Sequence, residues 1–133
     1  DQVKGDLLRQ VFETYDPKEK PLTQYEQDIL ETDHCQVGAT LATNMQFPDD
    51  VIKAIKFHHN REKEFPLKSP VSVIQIAEFI AGKMNYSPIP GKVEPLSPSL
   101  AKHFKERMAD YKLIVRDLPE EIAKATELYE ISE

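Results

Sequence analysis

Three of the four histidines in the sequence stand where they can act together. His34 opens one predicted helix, and the adjacent pair His58 and His59 closes the next one. Consecutive helices joined by a short connection normally pack against each other, so imidazoles at their ends approach one another. Such a cluster either ligates a metal ion or consists of hydrogen-bonded core histidines. On spacing alone, both interpretations stay open.

The other reactive side chains give weaker signals. Cys35 follows His34 directly, but neighbouring side chains of a helix point about 100 degrees apart, so we expect a packed thiol rather than a nucleophile paired with its base. His103 has charged and aromatic neighbours and is expected at the surface. The sequence contains no glycine-rich phosphate loop, Cys-x-x-Cys pair or Gly-x-Ser-x-Gly elbow. We therefore predict no catalytic residue.

The elements that must position the histidines are predicted to be helices, because glycine is rare and no alternating apolar pattern is flanked by hairpin turns. A first helix should stop at the step from Asp16 to Pro17. A second should start at a capping box spanning residues 23–26 and run to about Glu31.

The two helices that carry the histidines have distinct patterns. From about Asp33, Val37, Leu41 and Met45 line one face, and the small residues Gly38, Ala39 and Ala42 leave room for a close neighbour. Pro48 opens the next helix, in which Asp49 and Asp50 occupy the first turn and a buried stripe is expected from Val51, Ile52 and Ile55. Continuing that stripe predicts that His58 and His59 face inward.

Three further segments complete the predicted architecture. Residues 60–68 form a charged loop, and Ser69 with Pro70 starts a central apolar helix over 71–84. A proline-rich surface loop over 86–98 precedes a helix that starts at Ser97 and Pro98. A capping pattern over 117–120 predicts the start of a terminal helix with an apolar side formed by Ile122, Ala125, Thr126 and Tyr129.

Composition sets further limits. With 133 residues and 40% hydrophobic side chains the chain is long enough for one domain over residues 1–133. The net charge of -6 argues against nucleic acid and anionic membranes as partners. A single cysteine indicates a reducing, cytoplasmic location, and no signal peptide or membrane span is predicted. The first residue, Asp1, suggests the C-terminal part of a longer protein.

Taken together, segments 31–42 and 47–59 resemble the HD-related output domain (HDOD) family of bacterial-type regulators. Members carry a histidine followed by a helix of small residues, then a proline-started helix that ends in a His-His pair. The resemblance implies an all-α helical bundle of the HD phosphohydrolase superfamily, whose active members bind metal ions through histidines and aspartates. It assigns metal-ligand positions to His34, His58 and His59, with Glu78 where an aspartate is expected.

The sequence departs from active enzymes of this superfamily at two points. No histidine is followed by aspartate, and Asp1 is the one candidate for the surviving half of such a pair. The residues after His59 also lack the Gly-Tyr-Pro segment of the related HD-GYP phosphodiesterases. The cluster is therefore interpreted as the remnant of a metal site.

These observations leave three hypotheses. The first is a non-catalytic signal-transduction or regulatory module with no cofactor, acting on protein partners or adjacent signalling domains, with homo-oligomer formation left open. The second is a metal-dependent phosphohydrolase whose remaining ligands precede Asp1, with a divalent metal as cofactor. The third is a helical interaction domain unrelated to HD proteins.

Overall fold

The computed structural model describes residues 2–131, with side chains for residues 2–130. This range contains seven helices and no strand, which confirms the all-α prediction. The helices are α1 Gln2–Thr14, α2 Leu22–Leu30, α3 His34–Asn44, α4 Asp49–Phe57, α5 Pro70–Lys83, α6 Pro98–Glu106 and α7 Met108–Ile131. The chain divides into two compact units, residues 1–100 and 101–133. Asp1, proposed above as half of a ligand pair, lies outside the described residues.

Helices α1 and α2 pack together around an aromatic pair. Val11, Tyr15 and Tyr25 are buried, and the two tyrosine rings meet edge to face with centroids 5.5 Å apart. The predicted stop before Pro17 is confirmed, since α1 ends at Thr14. The predicted capping box is wrong. Helix α2 begins at Leu22 after Pro21 and has no side-chain cap, so residue 23 is already helical.

Helix α3 packs closely on α4. Its N-cap is Asp33, whose side chain accepts a hydrogen bond from the backbone N–H of Gln36. The close approach depends on Gly38, because a Cβ there would lie 2.9 Å from Cγ2 of Ile55. Cys35, Ala39 and Ala42 are the buried residues of α3, which confirms the predicted small-residue contact. The apolar face formed by Val37, Leu41 and Met45 is exposed. These residues are 56%, 59% and 58% accessible to solvent, respectively.

The predicted start of α4 after Pro48 is confirmed, with Asp49 and Asp50 in its first turn. Its predicted buried stripe is wrong at Val51, which is 39% exposed. Ile52 and Ile55 are half-buried, and Ala54 is the fully buried residue. A small residue at this buried position suits the packing of α4 against α3 and α5.

Helix α5 starts as predicted, because Ser69 accepts a hydrogen bond from the backbone N–H of Ser72 and Pro70 is the first helical residue. It packs on α4 and buries Gln75 completely. The amide of Gln75 donates to the backbone oxygens of Phe57, at 3.3 Å, and Asn60, at 2.8 Å. These two bonds clamp the short segment that contains His58 and His59.

In the second unit, the predicted start of a terminal helix at residues 117–120 is wrong. Helix α7 runs without interruption through this segment and contains Pro119 in its interior. Proline removes one backbone N–H but its fixed φ is compatible with a helix. The capping pattern over 117–120 therefore marks a missing hydrogen bond inside α7 rather than the start of a helix. Tyr111 stacks on Phe104 with centroids 4.5 Å apart, and its hydroxyl lies 3.1 Å from Nε2 of His103. His103 is half-buried rather than fully exposed.

Candidate metal centre

The three histidines predicted to cluster do so. His34 is the first residue of α3, His58 caps the C-terminus of α4, and His59 follows directly. The ring centroids are 5.2 Å apart for His34 and His58, 4.9 Å for His34 and His59, and 4.5 Å for His58 and His59. One ligand nitrogen from each ring lies within 4.8 Å of those of the other two.

Each of the three imidazoles has its Nδ1 fixed by an acceptor. Nδ1 of His34 lies 2.7 Å from a carboxylate oxygen of Glu26, and Nδ1 of His59 lies 2.9 Å from Glu94. Nδ1 of His58 lies 2.7 Å from the backbone oxygen of Ile55. Because these partners accept, they favour a proton on Nδ1 and leave Nε2 for another contact. The Nε2 atoms of His34 and His58 are 3.2 Å apart.

The buried carboxylate of Glu26 fixes His34 twice. Besides Nδ1, it accepts a hydrogen bond of 3.1 Å from the backbone N–H of His34, at the start of α3. The expected role of Glu26 in a capping box was therefore wrong because its side chain turns away from α2 toward the next helix. Helix α2 in this way positions a residue of α3.

Glu94 is the second buried carboxylate and comes from the proline-rich loop. It accepts hydrogen bonds from the backbone N–H of Leu22 at 2.8 Å and from the hydroxyl of Tyr15 at 3.2 Å, in addition to the His59 contact. Burial would raise the pKa of Glu94, but the hydrogen bond and charge of His59, with smaller contributions from Leu22 and Arg61, hold it below its usual value. Burial and the neighbouring Glu94 raise the pKa of Tyr15.

Glu78, the acidic residue implied by the family resemblance, lies at the edge of the cluster. Its Oε1 is 3.8 Å from Nε2 of His58, and its Oε2 is 3.7 Å from the guanidinium of Arg61. The Glu78 side chain is 39% exposed to solvent, and the His58 side chain is 15% exposed. Glu78 thus lies within reach of His58 but shares its charge with Arg61.

Cys35 is closer to the histidines than its sequence position suggested. Its Sγ lies 3.7 Å from Nε2 of His34 and 3.7 Å from Nδ1 of His58, while the residue itself is buried. The packed thiol is as expected, but the expectation that the side chains of His34 and Cys35 diverge is wrong, because Nε2 of His34 reaches the thiol of Cys35.

The thiol and the imidazoles perturb each other. Burial would raise the pKa of Cys35, but hydrogen bonds to His34 and His58 outweigh it and lower the pKa. Hydrogen bonds to Cys35 and then Glu26 raise the pKa of His34 to about 10, against the effect of burial. Burial would lower the pKa of His58, but the contact with Cys35 and the charge of Glu78 raise it.

Arg61 joins the cluster from the segment after α4. It donates through Nη1 to the backbone oxygen of His58 at 2.7 Å, and Nη2 lies 3.6 Å from Glu94. Its Nε is buried and has no hydrogen-bond partner among the described residues. Burial lowers the pKa of Arg61, partly offset by the charges of Glu94 and Glu78.

Two cavities adjoin the cluster, and His59 and Arg61 line both of them. One cavity has a volume of about 480 Å³ and is walled mainly by apolar side chains of α1, α5 and the proline-rich loop. The other has a volume of about 770 Å³ and is lined largely by polar residues of α3 and the segment after α4. His59 and Arg61 therefore lie between a mainly apolar space and a more polar one.

The donor set fits a divalent transition metal ion. Three imidazole nitrogens suit zinc or its neighbours better than magnesium, and the carboxylate partners of His34 and His59 are of the kind that orient metal-bound histidines. His34, His58 and His59 would hold the ion, and Glu78 lies near enough to His58 to join them. The geometry brings together His34, His58 and His59, whereas Glu78 approaches His58 alone. Metal binding by these four residues stays a prediction.

The fold and the cluster define an all-α domain with a partly buried group of three histidines. The model of the HDOD domain family matches residues 2–61. This confirms the HDOD resemblance over the segment that supplies Glu26, the three histidines and Arg61, whereas Glu78 and Glu94 lie beyond it. No curated protein and no solved structure matches the chain. Within the described residues, no helix has the length and hydrophobicity needed to cross a membrane.

Sequence reasoning missed Glu26, Glu94 and Arg61. Glu26 carried a signal, but its spacing from residue 23 favoured a cap. Glu94 lies 35 residues after His59 in a loop without periodicity, so no pattern connected the two residues. The one signal for Arg61 was its position two residues after the histidine pair.

Proposed function

We propose that this chain is a non-catalytic regulatory output module of the HDOD type, in which the histidine cluster connects helices rather than activating water. The observation that carries the proposal is the network of buried carboxylates. Glu26 links α2 to α3, and Glu94 links the proline-rich loop to Tyr15 just after α1, to the first residue of α2 and to His59. Buried polar networks of this kind specify one arrangement of the elements they join.

The composition of the site also favours a role without catalysis. Two carboxylates that could bind a metal directly, Glu26 and Glu94, are instead bound to Nδ1 atoms. The third, Glu78, is drawn toward Arg61. A change in the cluster, whether by ligand binding or loss of a hydrogen bond, would shift helices that share these bonds, and this is how a regulatory module transmits a signal.

The exposed face of α3 is a candidate contact for a protein partner. Helix α3 begins at His34 and presents Val37, Leu41 and Met45 to solvent, each more than half exposed. Neighbouring exposed apolar side chains are typical of interaction surfaces. Native mass spectrometry of the wild type and Leu41→Lys tests whether this partner is a second copy. A dimer that Leu41→Lys dissociates identifies the second copy as the partner, and a monomer in both excludes it.

A metal-dependent phosphohydrolase is the second candidate. The observation that favours it is the convergence of the three ligand nitrogens within 4.8 Å. A divalent ion held there would supply Lewis-acid chemistry and an activated water. Glu26, the backbone oxygen of Ile55 and Glu94 would orient the imidazoles of His34, His58 and His59, respectively.

One experiment separates the two candidates. Metal content and phosphodiester turnover are measured on freshly purified wild type and on His58→Ala. Glu13→Ala is the control, because Glu13 is exposed and lines neither cavity. Turnover that depends on bound metal and disappears in His58→Ala establishes the enzyme and refutes the regulatory proposal. Absence of turnover, with or without a bound ion, supports the regulatory module, and an ion would then have a structural role.

A further inference from the structure

We infer that the apolar cavity beside the histidine cluster binds a small amphipathic acid, with an aliphatic body and one carboxylate head held by Arg61. The inference is independent of whether the cluster binds metal. It follows from three properties of the cavity: its walls, its polar end and an unused buried donor.

The walls favour an apolar body. The cavity of about 480 Å³ lies within the range of about 300–1,000 Å³ that is typical of small-molecule sites. Leu8 and Phe12 of α1, Phe79 of α5, and Ile89 and Val93 of the loop line it. Few hydrogen-bonding groups are available along these walls, so a sugar or nucleotide would leave many of its polar atoms unpaired. An aliphatic chain loses nothing there and gains burial.

The polar end favours one acidic group. His34, His59 and Arg61 line this end together with the acidic side chains Glu26, Glu78 and Glu94, of which Glu26 and Glu94 are paired with His34 and His59. The buried Nε of Arg61 has no partner among the described residues. A buried donor without an acceptor is costly, and a ligand carboxylate would satisfy it with a charge-assisted hydrogen bond.

The same end limits the charge of the ligand. Glu94 lies 3.6 Å and Glu78 lies 3.7 Å from the Arg61 guanidinium, so two carboxylates already share its charge. Additional negative charge near them is repelled. A monoanionic carboxylate therefore suits the site better than a phosphate dianion.

Isothermal titration calorimetry with decanoate, decanol and decylamine tests the ligand class on the whole chain in the presence of a chelator. We expect decanoate to bind with a Kd on the order of 10–100 µM. Decanol, which has the same body without the charge, should bind about tenfold more weakly or worse. Equal affinity for decanoate and decanol, preference for decylamine, or no saturable binding of decanoate would each overturn the inference.

Two substitutions on α5 locate the binding site. Ala81 lines the cavity, whereas Ala77 on the same helix is exposed and does not line it. Ala81→Leu should reduce decanoate affinity at least tenfold by filling the cavity, and Ala77→Leu should leave it unchanged. The same affinity in both variants would place the ligand elsewhere and refute the assignment.

A substitution of Arg61 tests the head group. In Arg61→Gln, decanoate affinity should fall to that of decanol, while decanol affinity stays as in the wild type. Because Arg61 also holds the backbone of His58, Arg61→Lys provides a milder change that keeps the charge and removes the Nε donor. A preference for decanoate that survives in both variants would show that another group recognises the acid.

Discussion

The carboxylate of Glu94 offers the sharpest test of how the cluster is built, because three donors from different parts of the chain depend on it. Glu94→Ala leaves the backbone N–H of Leu22, the hydroxyl of Tyr15 and Nδ1 of His59 without their acceptor. Each buried donor left unpaired costs about 1–3 kcal/mol. Loss of one partner from a buried charged pair costs about 3–5 kcal/mol, so we expect a loss of about 3–5 kcal/mol in the free energy of unfolding.

Urea unfolding followed by circular dichroism measures this loss. Glu62→Ala is the matched control, because Glu62 is exposed and surface substitutions usually change stability by less than about 0.5 kcal/mol. Glu94→Gln should lie between the control and Glu94→Ala, since the amide oxygen still accepts but carries no charge. If Glu94→Ala unfolds at the same urea concentration as Glu62→Ala, the assignment of Glu94 as the connecting residue is refuted.

The pH dependence of stability gives a second test of Glu94. Its pKa in the folded chain is below the usual 4.5 because the hydrogen bond and charge of His59, together with Arg61, outweigh burial. The unfolded chain therefore binds the proton more readily, and the stabilisation is complete above about pH 4.5 and is lost as pH falls through the lower, folded pKa. Wild type should lose more stability than Glu94→Gln between pH 6 and pH 3. Parallel curves for the two proteins would contradict this assignment.

Three further predictions concern other positions. Glu26→Gln should weaken zinc binding about 10- to 100-fold, because the imidazole of His34 loses its charged partner. Competition with a chromophoric chelator measures the affinity, and unchanged affinity would show that Glu26 does not orient a zinc-bound His34. Glu31→Gly should raise the free energy of unfolding by about 1 kcal/mol relative to Glu31→Ala, since residue 31 has a φ of 60° at the end of α2. Chemical unfolding measures the difference, and a glycine variant less stable than the alanine variant would contradict this prediction. Pro119→Ala should stabilise α7 by up to about 3 kcal/mol, because it restores a backbone donor inside the helix. Thermal melting measures the change, and a melting temperature of the alanine variant below that of the wild type would contradict this prediction.

The sequence alone determined most of the helices and the identity of the clustered histidines. Asp33, Pro48 and Ser69 act locally on the backbone at helix starts, and local signals of this kind are readable without tertiary information. The histidines were predictable because two packed helices of known order bring their ends together. Local patterns were wrong where tertiary contacts competed with them, as at residue 23, where Glu26 turns to His34 instead of forming a capping box.

Only the tertiary structure decided what surrounds the histidines. Glu94 reaches His59 from a loop 35 residues away, and Arg61 is held between Glu78 and Glu94. No sequence periodicity or fixed spacing predicts either contact, because chain folding rather than local geometry sets the distance between residues far apart in sequence. The apolar cavity has the same origin, since α1, α5 and the proline-rich loop contribute its walls. Residue types therefore gave the donors of the site, and packing gave their orientation and their partners.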